Sequence, residues 1–373
     1  MIYLDNAATG GRKPSGVISA VRSCIMLNAN PGRSGHKLSL AKAKQVLACR
    51  YALNDFFDGF GFERTVFTKN CTEALNIALF SSLKSGDHAV VTSMEHNSVL
   101  RPLEHLVKRG VSYDICPLEQ GNVTVSGILK RINEKTKAVV VTSASNVTGA
   151  IPPIEQIGNA LPKGVVFIVD GAQGGGHVDI SMQKSKIDYL ALAGHKGLFA
   201  LQGSGALLFS DRVSPSPILY GGTGTTSNEL SMPDFYPDCL EAGTLAYPSV
   251  LSLLEGLRFL TVRKEEISQK TEKLTSLLID GLQKIDGYTV YSKPNPCGIV
   301  AFSHRKIPSE DVAFLLSEEY SIAVRAGLHC APKMHEALGT LESGLVRASF
   351  SYFNSPDEVK FLLRALEKIA KRI

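Results

Sequence analysis

Short apolar runs and helix-like stretches alternate from about residue 60 to residue 210. Thr65-Val66-Phe67-Thr68 reads as a strand and Thr72 to Leu83 as a helix. His88 to Thr92 reads as a strand and Val99 to Lys108 as a helix. Lys137 to Thr142 (KAVVVT) and Val165 to Asp170 (VVFIVD) have no polar alternation, the pattern of strands covered on both faces. Tyr189 to Ala193 and Ala206 to Phe209 complete the set. The alternation predicts a mostly parallel sheet covered by helices. Loops containing Gly and Pro dominate residues 210 to 248. A long helical pattern follows from Pro248 to about Ile285, with an apolar stripe at Leu253, Leu257 and Leu260, and a domain boundary is expected inside it near residue 260. The remainder alternates strand and helix again and ends in an amphipathic helix predicted from Pro356 to Ile373.

Composition narrows the class. A chain of 373 residues that is 44% hydrophobic can bury a large core. The net charge of +5 is spread without a basic block, which gives no case for nucleic acid. The first ten residues, MIYLDNAATG, lack the basic start of a signal peptide. No apolar run reaches the roughly 20 residues of a membrane helix. Seven cysteines, at 24, 49, 71, 116, 239, 297 and 330, form no Cys-x-x-Cys pair. That odd, scattered set points to reduced thiols and a cytoplasmic location. No His, Cys or carboxylate cluster has metal-ligand spacing, so no metal is expected.

Chemistry gathers at the predicted strand ends, where open α/β sheets bind ligands. Lys196 stands in Gly-His-Lys-Gly within a nearly uncharged stretch, and a desolvated lysine becomes a nucleophile able to form a Schiff base. Asp170 closes the VVFIVD run, where a buried carboxylate needs a cationic partner such as a protonated pyridine nitrogen. Thr72 opens a predicted helix whose N-terminus suits a phosphate; alone, it reads better as an ordinary N-cap. His96 follows the next strand and could stack on an aromatic ring or simply occupy a turn. Asn146, after KAVVVT, offers an amide or ordinary turn geometry. Taken together, Lys196, Asp170, Thr72 and His96 describe a site for pyridoxal phosphate.

These residues carry a resemblance. The segments Asp170-Gly171-Ala172-Gln173, Gly194-His195-Lys196-Gly197, Glu241-Ala242-Gly243-Thr244 and Arg325-Ala326-Gly327-Leu328-His329-Cys330-Ala331 resemble a class V aminotransferase of fold type I. Within that class the resemblance is to a NifS-like cysteine desulfurase or selenocysteine lyase, and it runs from Tyr3-Leu4-Asp5-Asn6-Ala7-Ala8 to Arg347-Ala348-Ser349-Phe350.

The resemblance implies an α/β fold with a seven-stranded, mostly parallel sheet in a large domain of residues 15–260. Residues 1–14 with 261–373 would form a smaller α/β domain carrying the Cys330 loop. It implies that Lys196 holds the cofactor and moves protons, that Asp170 pairs with the ring nitrogen, and that Gln173 contacts the phenolic oxygen. His96 would stack on the ring. Thr72, its neighbour Cys71 and His195 belong to the phosphate side, and Thr244 would reach the phosphate of a partner subunit in a homodimer. Asn146 and Arg347 would hold the substrate carboxylate. Cys330 would take sulfur from L-cysteine as a persulfide, leaving L-alanine, and pass it to an acceptor protein, as in iron–sulfur cluster assembly. Selenocysteine lyase, or another class V lyase or aminotransferase, is the alternative. The chain departs from the usual family pattern at Cys71, Ala193 and Leu328, where threonine, serine and histidine are common.

Overall fold

The computed structural model describes residues 1–32 and 34–372. Its centre is a seven-stranded sheet in the order Thr65–Thr68, Gly205–Phe209, Tyr189–Ala193, Val166–Asp170, Thr136–Thr142, His88–Thr92, Ser112–Cys116. Neighbouring strands from Tyr189–Ala193 through to Ser112–Cys116 are parallel, and Gly205–Phe209 runs antiparallel to both of its neighbours. The expected mostly parallel sheet is therefore present.

The apolar runs work as strands because both faces are covered. Val139, Val141, Phe167, Val169, Leu190 and Leu192 pack into a core on one face. Their alternates Ala138, Val140, Ile168 and Ala191 pack into a second core on the other, the two-residue period of a pleated strand. The strand Ser112–Cys116 was not evident in the sequence. It lies at the sheet edge with outward residues exposed, so its run carries no continuous apolar signal.

The helix Tyr247–Leu282 leaves the sheet's core and enters a third. That third core joins Leu4 to Leu274, Val300, Phe302, Val346 and Leu366. It is built on the antiparallel sheet Val346–Ser349, Ile299–His304, Tyr288–Val290, with Ile2–Tyr3 pairing in parallel with Ile322–Ala323. The last helix runs Pro356–Ala370; the Ile373 end predicted for it lies outside the described residues. Among the described residues no helix is long and apolar enough to cross a membrane.

Candidate active site

The carboxyl ends of the parallel strands open on a cavity of about 240 Å³. Cys71, Thr72, His96, Asn146 and Asp170 line it on the sheet side, together with Gln173, His195 and Lys196. Cys330 and Arg347 close it from the C-terminal part of the chain. Thr244 is the one predicted site residue placed elsewhere: it lines a separate depression across the Lys69–Glu73 turn, with Gly203, Ser204 and Gly205. Glu241 of the same motif is structural, since it makes a buried ion pair with Arg50 at 2.6 Å and accepts the Phe67 amide at 2.7 Å.

One wall is a helix start. The helix is Cys71–Ser82 and its cap is Asn70, two residues before the predicted opening at Thr72. The Asn70 side chain accepts the Glu73 amide at 2.9 Å, and Glu73 reaches back to the Lys69 amide at 2.5 Å. The Asn-x-x-Glu spacing of residues 70–73 was the available signal. First-turn amides and the positive end of the helix dipole thus face the cavity beside the Thr72 hydroxyl. Thr72 Oγ1 lies 2.8 Å from Ser98 Oγ, which lies 2.9 Å from His96 Nδ1. The Ser98 amide donates to that same Nδ1, so a neutral His96 carries its proton on Nε2. Burial, against the opposing pull of Asp170 and with help from Lys196, Arg325 and Arg101, brings the His96 pKa down to about 4 and keeps the ring uncharged at neutral pH. His96 is therefore both the cap of the Asn97–Val107 helix and a lining ring of the cavity. Ser98, not singled out in the sequence, joins the two helix starts.

The floor carries Lys196 and Asp170. Burial lowers the Lys196 pKa, with Asp170 opposing it, so the amine gives up its proton more readily than an exposed lysine. Asp170, 2% exposed, ends its strand with Oδ1 accepting the Ala172 amide at 2.9 Å and the Cys71 thiol at 3.3 Å. Gln173 donates to the Ala7 carbonyl at 3.0 Å. His195 Nδ1 lies 3.2 Å from Thr9 Oγ1; burial, then Lys196 and Lys13, lowers its pKa to about 4.

The opposite wall comes from the Cys330 loop. Asn97 donates its amide to the Cys330 carbonyl at 2.8 Å, and Asn146 Nδ2 donates to the His329 carbonyl at 2.6 Å. Arg347 donates to the Asn146 carbonyl at 2.7 Å and to Asp5 Oδ1 at 3.0 Å. These bonds hold His329 and Cys330 at φ of 52° and 57°, a left-handed conformation costly for residues with a Cβ. Cys330 is the exposed cysteine among the seven, and the Arg325 guanidinium donates to its Sγ at 3.9 Å. Arg325 also pairs with Arg347 through reciprocal backbone hydrogen bonds, which brings two guanidinium groups to one cavity. Burial lowers the Arg347 pKa to about 10 against the pull of Asp5, so it stays charged at neutral pH. Three buried atoms on this wall, Asn146 Oδ1, His329 Nε2 and Arg347 Nε, have no hydrogen-bond partner. An anionic ligand with a donor group would satisfy Arg347 Nε and Asn146 Oδ1.

The arrangement offers a nucleophilic amine, a fixed carboxylate, an anion-binding helix start and an exposed thiol beside a cation. Among the described residues no group of three or more His, Cys, Asp or Glu could hold a metal ion.

Comparison with known proteins agrees with this chemistry. A model of the family described as aminotransferase class-V matches residues 2–362. A relative from Methanothermobacter thermautotrophicus, described as a probable cysteine desulfurase, is 32% identical over 99% of this chain and 94% of its own length. A cysteine desulfurase of Pectobacterium carotovorum is 29% identical over 99% of this chain and 93% of its own. The apo structure of a cysteine desulfurase from Thermococcus onnurineus superposes with a TM-score of 0.91 at 32% identity, covering 100% of this chain and 95% of that one.

Proposed function

The chain belongs to the class V aminotransferase family, and from that premise we propose that it is a pyridoxal-phosphate-dependent cysteine desulfurase acting through Lys196 and Cys330. The observation that carries the reading is the meeting of the Lys196 amine, the Asp170 carboxylate and the exposed Cys330 thiol in one cavity.

The residues present fit the cofactor. Lys196 Nζ would hold its aldehyde carbon, Asp170 its ring nitrogen, His96 its ring face and Gln173 its phenolic oxygen. The Cys71–Ser82 helix start, Thr72 and His195 would hold its phosphate. When bound, the cofactor supplies a cationic ring that withdraws electrons from the substrate carbons.

The chain's own residues do the rest. Arg347 through its unpartnered Nε and Asn146 through its remaining Nδ2 hydrogen donate to the substrate carboxylate, fixing the amino acid with its side chain toward the Cys330 loop. Lys196, whose burial favours the neutral amine, takes the α-proton. The Arg325 guanidinium donates to Cys330 Sγ and orients it. As a thiolate, the nucleophilic form of cysteine, Cys330 attacks the substrate sulfur. An S–S bond forms as the Cβ–S bond breaks, the bond's electron pair stays on Cβ, which takes a proton, and Lys196 returns the proton that it took from the α-carbon. L-cysteine is reduced to L-alanine while Cys330 becomes a persulfide.

Transfer of that sulfur to an acceptor protein, with iron–sulfur cluster assembly as its use, belongs to the same proposal, as does a cytoplasmic setting that keeps Cys330 reduced. Homodimer formation is supported by Thr244, which does not line the cavity of its own chain. A division into residues 15–260 and residues 1–14 with 261–373 is supported by the third core, which joins Leu4 to the C-terminal elements.

Incubation with L-cysteine and a reductant should give alanine and sulfide in equal amounts, whereas without reductant alanine formation should stop after about one per chain, with the sulfur held on Cys330. Pyruvate and ammonia in place of alanine would reject the desulfurase reading.

A further inference from the structure

We propose that Cys71 is a positioning residue for Asp170: its thiol donates to Oδ1 and, with the Ala172 amide, fixes that oxygen so that Oδ2 serves the cavity. This assigns Cys71 to the ring-nitrogen end of the site rather than to the phosphate end. The ring-nitrogen role rests on the proposed function; the thiol–carboxylate contact does not.

Both partners are held from outside the contact. Cys71 is the first residue of its helix, directly after the cap residue Asn70. Gly205 packs so closely there that a Cβ on it would lie 2.6 Å from the Asn70 carbonyl carbon. Asp170 is anchored through its carbonyl, which accepts the Ser143 amide at 2.8 Å and the Ser143 hydroxyl at 2.9 Å. The following turn is equally confined, since a Cβ on Gly171 would lie 2.8 Å from the Ala191 carbonyl oxygen. The 3.3 Å contact thus joins two fixed points on different elements. A carboxylate with one oxygen held twice cannot rotate, and that preorganises the other oxygen.

The direction of the bond follows from the surroundings. Burial, and then the Asp170 charge, push the Cys71 thiol well above its usual range, so sulfur keeps its proton and donates it. Cys71 and Cys330 share the cavity with opposite environments: one thiol beside a carboxylate, the other beside a guanidinium. The first is a proton donor to Asp170, and only the second is suited to attack sulfur.

Infrared spectra of the full-length protein test the contact through the S–H stretch that disappears in Cys71→Ala. That band should move to higher frequency in Asp170→Ala, which removes the acceptor; a band that stays in place overturns the proposal. Cofactor retention gives an independent arm that needs no turnover. Cys71→Ala should bind pyridoxal phosphate about fivefold more weakly, the effect of one modest hydrogen bond, and Cys71→Ser should recover most of the loss. Equal retention by the alanine and serine variants would mean that the thiol acts by volume alone, and the proposal falls. A protein that binds no pyridoxal phosphate at all defeats the proposed function and leaves the infrared result to judge the contact.

Discussion

Lys196 and Asp170 line the same cavity, yet only the carboxylate is tied down by hydrogen bonds from named donors. That difference suits their work, because an electron sink needs a fixed counter-charge while a proton carrier needs freedom to move. Replacing Lys196 with alanine should lower alanine formation from L-cysteine by at least about a hundredfold, the usual loss for a missing general base. A variant that turns over within a few-fold of the wild type would remove Lys196 from the mechanism. The lysine was readable in the sequence because an ammonium in a run of glycine and apolar residues has few structural explanations. The Arg347–Asp5 ion pair was not, since its partners are 342 positions apart and neither looks unusual locally. Arg325 was quoted within its motif but acquires a role only when the fold sets it against Cys330 and Arg347.

At the level of elements, the site depends on how the Cys71–Ser82 helix meets the sheet. Gly205, on the antiparallel strand, sits where a Cβ would lie 2.6 Å from the carbonyl carbon of the cap residue Asn70. Gly205→Ala must displace the Asn70 backbone and should destabilise the protein by about 1–3 kcal/mol, the usual cost of overpacking, while weakening cofactor binding. Chemical denaturation and cofactor titration of the purified variant check both parts; an unchanged midpoint and affinity would show that the helix start tolerates a shift. The buried strands Thr136–Thr142 and Val166–Asp170 were legible because long apolar runs leave little else to form. Ser112–Cys116 escaped because an edge strand has one wet side and its polar positions mask the run. The helix start was read at Thr72 instead of Asn70 because a threonine before an apolar stretch satisfies the same rule as the true cap.

For the whole molecule, the cavity is a seam between the sheet's cores and the C-terminal core. Hydrogen bonds cross it from Asn97 to Cys330, Asn146 to His329, Arg347 to Asn146 and Gln173 to Ala7. Burial also leaves several imidazoles uncharged in the folded chain. His96, His177 and His195 fall from 6.5 to about 4, chiefly through desolvation. Their folded pKa values lie below the unfolded ones, so between these limits the unfolded chain binds more protons. Stability is then complete above about pH 6.5 and is lost as pH falls toward 4. The melting temperature should drop across that window, and His177→Gln should lessen the drop by removing one such proton; identical pH profiles for the two proteins would contradict the linkage. The central claim is that sulfur leaves L-cysteine onto Cys330, and the most direct test is mass spectrometry after one equivalent of L-cysteine without reductant. The account predicts one added sulfur on the Cys330 peptide, alanine in equal amount, and neither added sulfur nor appreciable alanine in Cys330→Ala. Added sulfur on Cys71 or Cys239 instead, or undiminished alanine from Cys330→Ala, would contradict it.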